Sequence, residues 1–401
     1  MKPVDPHPIP YSEYHFAFSP EEYEVRRDKV CKTMAEQDID VLLVTFINSA
    51  CYLTGYQTPL SNWDICIALS SDGEMVAHVT DLEVVSLFMH GGWPKDAPCY
   101  CVPYHKYGDA YQRTAEMLKL HGWSNKRFGM EMSKPGCTHG LVKTLTEELP
   151  DASFVDASRI VLDCRMVKSP AELKVMRQAG IFSRVGIMAV MESVRAGVTD
   201  GELTATAFDA MFRAGSEYLS LQPFVKVGDA TWLEHTSARR RVVLPGGIVT
   251  CEMTGVYERY SCPIYRTATV GKPSDDVSIM LDTANATLEK LFELAKPGVP
   301  AKEVALELKS ICTSKLQGRA TPKDMYGYSV GIGFPPDWVE GSFYIDIENE
   351  APLQAGMTFH SPHAFRDKVR RVGACFSETW VVTENGGEVL GCTPRELKIA
   401  Y

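Results

Sequence analysis

The chain has 401 residues, two to three times the roughly 150 of a typical domain, which favours two domains with substantial cores. Its 45% hydrophobic and 23% charged residues describe a folded globular protein. A formal charge of −10, with only the short basic clusters Arg239-Arg240-Arg241 and Lys368 to Arg371, argues against a nucleic-acid binder, which needs a basic surface to track phosphates.

The 12 cysteines contain no Cys-x-x-Cys pair, which argues against a zinc or redox motif and against a disulfide scaffold. No apolar run approaches the ~20 residues of a membrane span, and the N-terminus MKPVDPHPIP lacks a signal peptide's apolar core. A cytoplasmic location, where scattered thiols stay reduced, is the expectation.

In chain order, Ser19-Pro20-Glu21-Glu22 has the form of a capping box with proline at the first helical position, and predicts a helix to about Gln37. A β-rich stretch from Asp40 to Phe46 leads into CYLTGY at 51–56. Ser71-Asp72-Gly73 then lies between two alternating segments as a hairpin turn. Helical patterns at about 81–90, 109–121 and 138–149, with a strand from Phe128 to Met132 between the last two, complete an N-terminal α/β domain over residues 1–160.

A second capping box, Ser169-Pro170-Ala171-Glu172, opens a helix reaching about Val194. Within residues 161–401 the chain repeats itself. Arg195-Ala-Gly-Val198 matches Lys296-Pro-Gly-Val299 at an offset of 101, and Leu244-Pro-Gly-Gly-Ile248 matches Leu353-Gln-Ala-Gly-Met357 at an offset of 109. Each half runs helix end, glycine turn, helix, then a strand that starts after glycine. Such halves can pack about a pseudo-twofold axis into one curved sheet with helices outside and a site in the trough between them.

Two carboxylates stand out because each interrupts an uncharged strand. Glu252 lies within 245–271 and Glu378 within 373–386. A trough-facing Glu252 is desolvated and its pKa rises unless a cation or histidine compensates; the structural alternative pairs it with Arg266. Glu384, beside Asn385-Gly386, reads as a solvated turn residue. A general base near neutral pH is sought among His235, His360 and His363. His360 ends a strand over 357–359, and the proline between His360 and His363 argues against a helical turn placing both on one metal. The segment MYGYSVGIGFPPDW at 325–338 reads as a rigid loop, neither helix nor regular strand. There Tyr328, Phe334 and Trp338 offer aromatic faces to a flat or cationic ring.

At these segments the chain resembles the creatinase and aminopeptidase superfamily of pita-bread fold. The motifs are EEYEVRRDKV (21–30), CYLTGY (51–56), KSPAEL (168–173), RYSCPIYRT (259–267), GYSVGIGFPPDW (327–338) and GMTFH (356–360). The resemblance implies an N-terminal creatinase-type α/β domain followed by a C-terminal pita-bread catalytic domain with an internal repeat. In peptidase members two metal ions are held by five residues, and the corresponding positions here are Glu252, Pro263, Tyr328, Pro362 and Ser377. Only one of these suits a hard divalent ion, so no metal and no cofactor is expected.

The motifs are similar to the metal-free branch typified by ectoine hydrolase. Creatinase's glutamate just before the Arg-Thr pair is Tyr265 here, which counts against creatine as substrate. The segment 360–379 differs from what ectoine hydrolase leads one to expect. The resemblance implies hydrolysis of a C–N bond in a small cyclic amidine or related amide, most simply ring opening of an ectoine-like compound to an N-acetyl-diaminobutyrate. Glu252 is then nucleophile or electrostatic partner, His235 the proton carrier, and Glu378 a partner of the second nitrogen or of a histidine. Tyr265, Tyr328, Phe334, Trp338, His360 and His363 bind the substrate, whose own carboxylate can be held by an arginine or by the partner subunit's N-terminal domain. Relatives pair so that one subunit's N-terminal domain covers the other's site, which implies a homodimer with Trp63 as part of a lid. The alternatives are a metal-dependent Xaa-Pro-type dipeptidase or aminopeptidase, and a catalytically inactive pita-bread protein that binds a ligand.

Overall fold

The computed structural model describes residues 3–4, 16–60, 65–90, 92–103 and 109–401; Trp63, named above as a lid residue, lies outside them. The chain divides into two compact units, Met1–Arg165 and Met166–Tyr401. Among the described residues no helix is long and apolar enough to cross a membrane.

The first unit opens with α1 (Pro20–Glu36), whose N-cap Ser19 accepts a hydrogen bond from the Glu22 amide. It continues through β1 (Val41–Val44), α2 (Ile47–Thr54), β2 (Cys66–Ser70), β3 (Met75–Thr80), α3 (Val84–Met89), β4 (Cys99–Val102), α4 (Ala110–Leu120), β5 (Arg127–Met130), α5 (His139–Glu148), β6 (Ser153–Asp156) and α6 (Ile160–Met166). The strands form a six-stranded sheet in the order β4-β3-β2-β1-β5-β6. The β2–β3 turn carries Gly73 at φ 94°, a conformation glycine adopts without a Cβ clash. Val41, Leu43, Phe128 and Met130 pack there with Leu141 and Leu145 of α5.

The second unit begins with α7 (Pro170–Ser193), capped by the reciprocal Ser169–Glu172 box. Then come α8 (Asp200–Arg213), β7 (Phe224–Val227), β8 (Ile248–Tyr257), β9 (Tyr260–Val270), α9 (Asp275–Leu294), α10 (Ala301–Leu316), β10 (Met325–Phe334), β11 (Asp337–Asp346), β12 (Thr358–Asp367), β13 (Val372–Thr383), β14 (Gly386–Val389) and β15 (Lys398–Ala400). Their nine-stranded sheet runs β11-β10-β12-β13-β9-β8-β7, with β14 on β13 and β15 on β9. Side chains alternate along each strand. On one face Val249, Cys251, Met253, Ile264 and Ala268 pack with Leu203, Ala207 and Met211 of α8. Phe359, Phe365, Ala374, Phe376 and Trp380 pack on that face with α9 and α10. The opposite face is the trough.

The internal repeat is visible in the backbone. The Gly197 amide donates to Val243 O and the Val243 amide to Val198 O; the Gly298 amide donates to Leu353 O and the Leu353 amide to Val299 O. The Gly246 amide donates to Val270 O, as the Gly356 amide does to Val382 O, and both glycines have positive φ, 77° and 87°. The offset at the strand entries is therefore 356 minus 246, or 110, one more than sequence matching gives. The segment 325–338 is also regular where a loop was expected, forming β10 and the start of β11 with register shifts between them. β12 runs on through His360 to Asp367.

Candidate active site

The trough face carries one row of directly opposed residues. Phe224 on β7 faces Glu252 on β8, Glu252 faces Tyr265 on β9, Tyr265 faces Ser377 on β13, and Ser377 faces Pro362 on β12. Tyr328 on β10 pairs with His360 on β12, which shares the face of Pro362 two residues away. The offset of 110 relates Glu252 to Pro362, so the two halves supply a carboxylate on one side and a proline on the other.

A pocket of about 510 Å³ opens over this row, and its walls include Glu252, Tyr265, Tyr328, Trp338, His235 and Arg366. Glu252 is 7% exposed and its carboxylate accepts no hydrogen bond among the described residues; the nearest basic atom is His360 Nδ1 at 4.0 Å. Burial raises its pKa above the usual carboxylate value, against the attraction of Lys226, Arg366 and Lys323. The expected partner Arg266 lies on the other face and is committed elsewhere.

A polar chain runs beside the carboxylate. Trp338 Nε1 donates to Tyr328 Oη at 2.9 Å, Tyr328 Oη lies 2.7 Å from His360 Nδ1, and His360 Nε2 lies 2.7 Å from Ser377 Oγ. Burial pushes the His360 pKa down to about 3, so the ring is neutral at physiological pH and carries one N–H. Either the Tyr328 hydroxyl donates to Nδ1 while Nε2–H donates to Ser377, or the two His360 bonds reverse while Trp338 still donates to Tyr328. In the reversed state Nδ1–H donates to Tyr328 Oη and frees the phenol proton for the pocket.

His235 lies in the exposed loop after β7, its ring 5.3 Å from that of Phe224, and lines the same pocket. That loop is held from below by Lys226, whose Nζ donates to the carbonyls of Leu233 and Glu234 at 3.0 Å each. Lys226 is fully buried, and desolvation first, then repulsion from Arg366, lowers its pKa to about 8.

Three expected site residues stand elsewhere. Because Ser377 faces the trough, Glu378 faces the helices with Phe376 and Trp380. There it accepts from Arg266 Nη2 at 2.6 Å, while the same guanidinium donates to the carbonyls of Tyr265, Ser377, Thr393 and Pro394. His363 has the same parity; its Nδ1 lies 2.6 Å from Thr287 Oγ1 of α9 and its ring packs edge-on against Tyr326. Phe334, at the hairpin end, lies under the Arg259 guanidinium at 4.8 Å and does not line the pocket. Lys323 and Arg366 line the pocket and Lys226 lies buried beneath its His235 loop; sequence reasoning missed all three. Arg366 had a signal, since it lies an even number of residues from His360 and so on the same face.

The five positions that hold a dinuclear metal centre in the peptidase members of the superfamily carry donors here that do not fit one. Pro263 and Pro362 have no side-chain donor, and Tyr328 and Ser377 are engaged by His360. Glu252 is then the one hard ligand left, where a divalent ion needs several. Among the described residues no three of His, Cys, Asp and Glu are grouped to hold a metal ion.

The sequence profile of metallopeptidase family M24 matches residues 174–384, and that of the creatinase/prolidase N-terminal domain matches residues 26–167. The chain is 28% identical to an ectoine hydrolase of Halomonas elongata, covering 95% of this chain and 98% of the relative. It is 25% identical to a Xaa-Pro dipeptidase of Pyrococcus horikoshii, over 92% and 97% of the two chains. Among solved structures, an X-Pro aminopeptidase from Thermotoga maritima superposes with TM-score 0.79 at 22% identity, over 93% of this chain and 99% of that one. A Xaa-Pro dipeptidase from Bacillus anthracis gives 0.81 at 20%, over 94% and 99%. These two likenesses establish the shared fold.

Proposed function

The chain belongs to metallopeptidase family M24, and we propose that within this family of hydrolases it acts without metal, opening a non-peptide C–N bond in a small cyclic amidine of the ectoine type. The observation that carries the reading is Glu252: a buried carboxylate with no protein donor, facing a pocket in which the other four ligand positions cannot bind metal. The likeness to an ectoine hydrolase across nearly the whole chain supports the same substrate class.

An amidinium presents two parallel N–H groups, which match the two oxygens of a carboxylate. Pairing with Glu252 supplies the donors that the protein withholds and fixes the ring over the row of Tyr265, Tyr328 and Trp338. The reaction adds the oxygen of water to the amidine carbon and breaks one C–N bond, giving an amide and an amine. His235, at the pocket rim, takes the proton from the adding water and returns it to the departing nitrogen. Glu252 serves the same pairing as counter-charge or as nucleophile. One turnover in ¹⁸O-water separates these: product oxygen drawn from the enzyme carboxylate identifies the nucleophile. A homodimer in which one subunit's N-terminal domain closes the other's pocket belongs to this proposal, with the mass in solution as its test.

The deciding experiment incubates the purified protein with ectoine, hydroxyectoine, creatine and proline dipeptides, with and without chelator, followed by mass analysis. The expected result is the gain of one water on a cyclic amidine, unaffected by chelator. Chelator-sensitive dipeptide cleavage would instead establish the peptidase reading that the Xaa-Pro relatives favour, and binding without turnover the inactive one.

A further inference from the structure

The pocket that holds Glu252 is also lined by Lys323, from the segment between α10 and β10, and by Arg366, near the end of β12. Both residues line a second cavity of about 920 Å³ together with Arg319, Lys368 and Arg370 and the carboxylates of Glu234 and Asp367. They are therefore shared by the two cavities, in a chain whose net charge is −10.

Among the described residues neither cation makes a direct ion pair with a buried partner, although the buried Glu252 attracts both from beyond contact distance. Lys323 makes no hydrogen bond and no ion pair among the described residues. Arg366 donates to Glu234 Oε1 at 2.8 Å, but its own side chain is 11% exposed and that of Glu234 is 64% exposed. An ion pair with one exposed, solvated member contributes little, and that member can turn away. The two cations also repel: desolvation first, then Arg366, lowers the pKa of Lys323. Glu234 and Glu252 offset part of that repulsion, and a ligand carboxylate placed between the two cations offsets more of it.

We propose that Lys323 and Arg366 form a carboxylate subsite, so that the substrate is a zwitterion with its cationic C–N group on Glu252 and its carboxylate on this pair. This assignment rests on the amidine reading for the cationic half but not for the anionic half. It gives the site directional recognition, because a ligand with its charges reversed meets like charge at both ends. It also assigns the missing anion contact to this chain's own residues.

The test uses three probes of one ring size, with affinity measured by calorimetry: ectoine, the same cyclic amidine without its carboxylate, and cyclohexanecarboxylate. Lys323→Met should weaken ectoine and cyclohexanecarboxylate by about 10- to 100-fold, the range for one charged hydrogen bond, and leave the carboxylate-free amidine unchanged. Lys323→Arg should recover most of the loss, and melting curves establish that each variant is folded. Equal affinity of wild type and Lys323→Met for both carboxylate probes, an equal loss on all three, or no binding of either carboxylate probe to the wild type would overturn the subsite. Binding of cyclohexanecarboxylate that depends on Lys323, with no binding of either amidine, would uphold the subsite and reject the amidine reading.

Discussion

Replacing Glu252 by glutamine separates function from stability, and the two should move in opposite directions. The pKa of Glu252 stands above the ordinary 4.5 because burial outweighs the attraction of Lys226, Arg366 and Lys323. The fold therefore holds the ionised carboxylate at a net cost. For a buried polar group without a donor that cost is about 1 to 3 kcal/mol. A carboxyl that binds its proton more tightly when folded makes the folded chain carry more protons between the two pKa values, so stability falls as pH rises through that window. The penalty is absent well below pH 4.5 and complete above the folded-state pKa. Glu252→Gln removes it: the variant should melt level with the wild type near pH 4 and higher at pH 8, by about 2 to 4 °C for each kcal/mol in a unit of this size. Turnover of the cyclic amidine should drop by about 10³-fold, as for loss of a group acting on the reacting centre. The assay is thermal melting across this pH range alongside initial rates. A variant that melts several degrees below the wild type at pH 8 would show that protein partners hold the carboxylate, and the substrate-pairing role would be withdrawn.

Glu378→Gln should do the reverse, leaving Arg266 buried without its counter-charge and lowering stability by about 3 to 5 kcal/mol, while the folded fraction keeps its turnover per active site; a selective loss of kcat would return Glu378 to the chemistry. His360→Phe removes two buried hydrogen bonds and should destabilise by about 2 to 4 kcal/mol in denaturant melts. Because His360 binds a proton near 6.5 when unfolded and only near 3 when folded, its share of acid instability develops as pH falls below 6.5. The variant's stability should accordingly fall less steeply between pH 6.5 and 4 than the wild type's. Metal analysis of active protein should find well below one divalent ion per chain, and a stoichiometric ion with chelator-sensitive turnover would refute metal independence.

Much of this architecture was legible because the signals are local. Ser19 and Ser169 cap their helices through hydrogen bonds only a few residues long, and the turns at Gly197 and Gly298 recur in both halves with the same backbone pairing. Sequence matching gives the second offset one short because adjacent glycines at 246 and 247 leave the pattern ambiguous, and the positive φ and shared backbone pairing of Gly246 and Gly356 fix the register. The 325–338 segment read as a loop because glycines and bulges interrupt its alternation.

Site membership depended on a further quantity, the parity of each residue on its strand. Glu252, singled out as a charge in an apolar strand, lines the trough pocket, whereas the same cue leads to Glu378 on the opposite face. The difference lay in its neighbours: 374, 376, 380 and 382 are apolar positions that pack on the helices, so 378 had to share their face and needed Arg266 there. Parity also places Arg366 with His360 and Pro362, although an arginine near a strand end looks like an ordinary solvated residue. Lys226 and Lys323 carried no such cue. Lys226 gains its role from a loop whose carbonyls fold back onto it, and Lys323 from the placement of its connecting segment beside Glu252. Such through-space charge relations arise only when distant strands are brought into register. For that reason the cationic half of the pocket, and with it the residues proposed to hold the substrate's carboxylate, came from the structure.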